Sequence, residues 1–172
     1  MAGLSNKDWA HRAVEYTQRR MRIGSRDKVS DLFSGRWVQK YQCVSSLREE
    51  MAQMKAKTYC EFFQKVADKA EQLGCGNCGE QAAVAYYYLK RNRVADIALV
   101  GYLKVPDDHS IVVVGFRGLE RFKDGDTLPH HFAWIHAHDT WVCDPWNGSA
   151  FPGLSISGKI GPLRTATLIC GH

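Results

Sequence analysis

Apolar residues in the first half of the chain recur at helical spacing; in the second half they gather into short blocks. A basic, mixed stretch from about Lys7 to Met21 predicts a first helix, and "GSRDKVSDLFSGR" after it reads as a loop or a short helix. Leu47, Met51, Met54, Phe62, Val66 and Leu73 then return close to helical period. Ser46 and Glu49 stand ahead of them in capping-box spacing, and Gly74 ends the run. One long helix is expected there. From Cys78, "CGEQAAVAYYYLKR" predicts another, rich in alanine and closed by basic residues that suit a helix C-terminus. Tyr86 to Tyr88 span nearly a full turn, so this helix is expected to pack between two layers with at least one ring outward.

After Asn92 the period changes. "ADIALVGYLKV" and "HSIVVVGF" are β-branched and apolar, "HFAWIHA" and "TWVCDPW" follow, and "TATLIC" closes the chain. Turn signals separate these blocks: "PDD", "KDGDTLP", "HDT" and "PWNG". Helices first and strands afterwards predict an α+β fold, with a helical part of about residues 1–93 packed on an antiparallel sheet of about residues 94–172. No internal repeat or low-complexity linker interrupts it, and 172 residues suit one domain.

Composition narrows the class. A hydrophobic share of 45% with 24% charged residues excludes a disordered chain. The longest apolar block, "SIVVVGF", has strand length, so no membrane association is expected. The net charge of +5 is concentrated in "RRMRIGSRDK" and "KRNR" and reads as a solvated face; without interleaved aromatics it does not make a nucleic-acid surface. The start "MAGLSNKDWAHR" lacks the layout of a secretory signal. Six cysteines are an even number, but a chain with this much core needs no disulfide framework, so most are expected to be free thiols.

The chemistry centres on "GCGNCGE". A structural zinc site needs four ligands, and Cys75/Cys78 has no second pair of convincing spacing. A thioredoxin-type dithiol should follow a strand, and this pair follows a helix. The remaining reading places Cys78 at a glycine-flanked helix start, where unpaired N–H groups and the helix dipole favour the thiolate. A base and an orienting group are then required. His109 opens a strong strand, and Asp144 closes another just before Pro145. In an antiparallel sheet the start of one strand lies near the end of its neighbour, so the two can meet. Cys78 as nucleophile, His109 as proton shuttle and Asp144 as orienter make a thiol triad. In "HHFAWIHAH", His136 and His138 share one strand face and His131 the other; no metal site is expected, and His131 is the alternative base. Trp146, directly after Asp-Pro, is the candidate to shield the His–Asp pair from water.

The segment from Gln72 to Gly79, with "CGNC" before a helix, resembles the nucleophile segment of papain-like cysteine proteases. The resemblance implies Cys78 as nucleophile and Gln72, six residues earlier, as oxyanion donor beside the Cys78 backbone N–H. Gln81 is near in sequence but lies inside the helix. Cys75 would then occupy the position of a structural half-cystine in the secreted relatives, its partner open. Departures are Gly79 where those relatives carry tryptophan, and Asp144 where they carry asparagine. The pattern as a whole looks more like compact bacterial effectors and toxins, which include cysteine proteases and protein glutamine deamidases. The match covers about half the chain, from Gln72 to Gly148.

A papain-like fold is therefore expected, in a monomeric amide hydrolase without cofactor. Its partner would be a protein substrate, a host protein if the chain is an injected effector. Secretion by a route without a signal peptide is expected in that case, and a cytoplasmic place otherwise. A catalytically inactive or zinc-stabilised binding module is the alternative.

Overall fold

The computed structural model describes residues 3–23, 36–103, 108–128, 138–156, 159 and 165–172. The expected strand "HFAWIHA", with His131, Trp134 and His136, lies outside these residues, as does most of the segment following Ile23. Among the described residues, four helices come first: α1 (Asn6–Arg20), α2 (Arg36–Gln53), α3 (Tyr59–Leu73) and α4 (Cys78–Arg91). Six strands follow: β1 (Ile97–Leu103), β2 (Asp108–Val114), β3 (Thr127–Leu128), β4 (Trp141–Asp144), β5 (Ser149–Pro152) and β6 (Thr165–Gly171). The fold class is α+β, as the sequence predicts.

Local chemistry explains most of the boundaries. Ser5 caps α1 by accepting the Asp8 N–H at 3.2 Å, while the Asp8 carboxylate takes the Ser5 N–H at 3.1 Å. The long helix expected across Ser46 to Leu73 is two helices, and Ser46 lies inside α2 rather than at a cap. Thr58 restarts the helix: it is extended, and its side chain accepts the Glu61 N–H at 3.1 Å. Apolar spacing carries on across this break, so periodicity alone misses it. Gly74 ends α3 as expected, at φ 73°, with its N–H on Ala70 O at 2.8 Å.

The sheet is antiparallel throughout, in the order β3-β6-β1-β2-β4-β5. One face carries Leu99, Val112, Val114 and Cys143 against α1 and α4. The other carries Val100, Tyr102, Ile111, Val113, Val142 and Leu168 in a second core with Phe116, Phe151 and Ile156. Both faces are buried, which is why "SIVVVG" reads as an unbroken apolar block rather than an alternation. Helix α4 is the centre of the first core. Tyr86 and Tyr87 are buried, and Tyr88 stacks on Tyr16 of α1 at 4.2 Å instead of facing outward. No helix among the described residues is long and apolar enough to cross a membrane.

The cysteines depart from expectation. Cys43 is bonded to Cys75 and Cys60 to Cys170, leaving Cys78 and Cys143 free. Each bridge joins segments far apart in sequence, 32 and 110 residues, so no local spacing announces it. The first ties α2 to the loop before α4, and the second ties the start of α3 to β6.

Candidate active site

The loop Gly74–Asn77 sets Cys78 in place. Ile23 donates its N–H to Gly74 O at 2.9 Å, the disulfide fixes Cys75, and Gly76 passes so close to α4 that a Cβ there would stand 2.5 Å from Glu80 Cβ. Glu80, 3% exposed, accepts the Asn77 N–H at 2.7 Å and pairs with Arg48 of α2 at 3.0 Å. Gln81 donates from Nε2 to Gly76 O at 3.1 Å. Cys78 is thus the first residue of a helix whose start is tied to α2 and to the chain after α1. Its exposure is intermediate.

That helix start abuts β2. A Cβ on Gly79 would lie 3.9 Å from Ser110 Oγ, in the residue next to His109. His109 is the second residue of β2 and Asp144 the last of β4. The register Val112↔Cys143 brings these strand ends side by side, and Nε2 of His109 stands 3.0 Å from Oδ1 of Asp144. The N–H does not point squarely at that oxygen, so the contact is close in distance but imperfectly aligned. Asp144 is 1% exposed and His109 13%. Asn147 holds the carboxylate from its other side, donating its N–H to Oδ1 at 3.2 Å and its amide to Oδ2 at 2.7 Å.

The imidazole responds to both neighbours. Burial works against its charged form, but contacts with Asp144 and then Cys78, together with their negative charges, outweigh burial and push its pKa up to about 9. With Nε2 given to Asp144, Nδ1 is left for the sulfur. Cys143, the other free thiol, is fully buried and its pKa is pushed well up, by burial and then by Asp144; it cannot serve as a nucleophile.

Cys78, His109 and Asp144 therefore come together. Gln72 does not: it sits on the exposed side of the last turn of α3, and no described hydrogen bond joins it to the site. The rigid helix up to Leu73 holds it there. His131 lies outside the described residues. Cys75 is occupied by Cys43, so Cys75 and Cys78 form neither a redox dithiol nor a two-thiolate metal arm here. Among the described residues no group of three His, Cys, Asp or Glu could hold a metal. Trp146 is half-buried two residues after Asp144, with the Lys40 ammonium of α2 5.0 Å over its ring. Sequence reasoning passed over Asn147, Glu80 and Tyr102. A Cys-Gly-Glu start signals the Glu80 cap, while nothing local marks Tyr102.

No family model, no curated protein and no solved structure matches this chain.

Proposed function

We propose that this protein is a papain-like thiol hydrolase of amide bonds, acting on a protein substrate as a glutamine deamidase or a cysteine protease. The observation that carries the reading is a single imidazole between a buried carboxylate, 3.0 Å away, and a thiol on a helix start. A disulfide on Cys75, where the resemblance places a structural half-cystine, supports it further. So does the Cys78 position at the start of α4, where the backbone N–H groups of Cys78 and Gly79 lie ahead of the capped Glu80 N–H and can receive an oxyanion.

In this reading the Cys78 sulfur attacks the carbonyl carbon and the C=O electron pair moves onto oxygen. His109 holds the thiol proton, with Asp144 beside the positive ring. Collapse of the intermediate expels ammonia or an amine, which takes the proton from Nδ1, and leaves an acyl-thioester. Water, deprotonated by the now neutral imidazole, releases the acid. Two disulfides suit a chain that matures in an oxidising compartment, in line with an exported protein.

The test is intact-mass analysis of candidate protein substrates after incubation with the wild type and with Cys78→Ala. Replacement of NH2 by OH at a glutamine identifies a deamidase, and truncation a protease. Equal product with Cys78→Ala refutes the reading.

A further inference from the structure

Tyr102 of β1 stands directly opposite His109 of β2. Residues facing each other across an antiparallel pair leave the same face of the sheet. Their rings meet edge to face, centroids 5.5 Å apart and planes at 76°. Tyr102 is 3% exposed, and its hydroxyl is buried with no hydrogen-bond partner. Its ring is therefore held by packing in the second core and not by its polar end.

An imidazole has a broad, soft torsion about its last bond. Asp144 restrains one nitrogen, with imperfect alignment, and Cys78 sits on a different element. Something must keep the ring from turning between them. Among the described residues, the charged groups that face it are Asp144 from β4 and Cys78 from α4, and both also act on Tyr102. Burial first, then those two charges, drive the phenol pKa well above its ordinary value. Tyr102 thus stays neutral at any working pH and presents a flat wall that never competes for the proton.

We infer that Tyr102 is a positioning residue, whose ring holds the His109 imidazole in the plane that serves Asp144 on one side and Cys78 on the other. The inference rests on the thiol-hydrolase reading, but its consequences appear on His109 itself.

Two variants test it. Tyr102→Phe keeps the ring; Tyr102→Leu keeps apolar bulk without the flat edge. His109 titration is followed by NMR, with its signal assigned by its loss in His109→Gln, and acyl transfer is followed with p-nitrophenyl acetate. Phe should match the wild type in both readouts and be no less stable, since its lost hydroxyl had no partner. Leu should move the His109 midpoint down by about one unit and lower kcat about tenfold, with KM little changed. A Leu variant with an unmoved His109 midpoint would reduce Tyr102 to core packing and overturn the inference. A Phe variant as impaired as Leu would overturn it too, by placing the effect on the hydroxyl; Phe folds on any reading, so this arm stands alone. A wild type whose His109 titrates high yet hydrolyses no amide would sink the proposed function and leave the positioning role in place.

Discussion

Asp144→Asn is the most informative single substitution, because here it removes charge with little change of shape. In the wild type, Oδ1 faces His109 and the Asn147 N–H, while Oδ2 faces the Asn147 amide. An asparagine can keep its oxygen toward His109 and turn its NH2 toward Asn147, whose exposed side-chain amide can flip to accept it. The imidazole tautomer is preserved and only the carboxylate charge is lost. Despite burial, its neighbours push the His109 pKa from an ordinary 6.5 up to about 9, so the charged ring contributes a net stabilisation of about 3 kcal/mol, at about 1.36 kcal/mol for each tenfold change. Asp144 acts more strongly than Cys78 through both contact and charge, so the variant should lose about 2 kcal/mol of this.

The sign follows from linkage. A histidine whose folded pKa is raised stabilises fully below its unfolded pKa and loses that contribution as pH rises through the folded one. The stability gap between wild type and Asp144→Asn should therefore be widest at about pH 6 and shrink by about 2 kcal/mol by about pH 10. Urea unfolding of both proteins across that range measures it, and the difference cancels most other titrating groups. A gap that stays constant with pH would show that Asp144 does not stabilise an imidazolium, and the triad geometry would lose its electrostatic content.

Iodoacetamide without reductant should label one cysteine per chain, Cys78, because four are bonded and Cys143 is fully buried; mapping of the label to Cys143, Cys43 or Cys60 by peptide mass would contradict the disulfide pairing or the site. Gly76→Ala should lower melting temperature and Cys78 reactivity together, since a Cβ there meets Glu80 Cβ at 2.5 Å and Met21 Cε at 2.9 Å. The cost expected is about 1–3 kcal/mol, and an Ala variant with unchanged thermal unfolding and labelling would show that the loop does not set the helix start.

The sequence by itself determined the α+β order, the Gly74 stop, the helix start at Cys78 and the strand positions of His109 and Asp144. Each of these is written in residues within a few positions of one another: a glycine that can take a left-handed turn, an apolar block, an Asp-Pro after a strand. Local backbone preference and patterning encode them without reference to distant partners. The short strands β3 and β5 lack enough residues to show a period, and the break at Thr58 was hidden by apolar spacing that continued through it. What only the tertiary structure decided depends on residues far apart in the chain. The partners of Cys75 and Cys60 are of this kind, as is the 3.0 Å meeting of His109 and Asp144, which needs the β2–β4 register to be made real. Tyr102 entered the site only because β1 pairs with β2 in the register that sets it opposite His109. Gln72 failed to enter it because α3 is a rigid rod to Leu73, and the backbone turns toward the site only after Gly74. Strand register and rigid-helix geometry are set by the packing of the whole core, and no local pattern of residues encodes them.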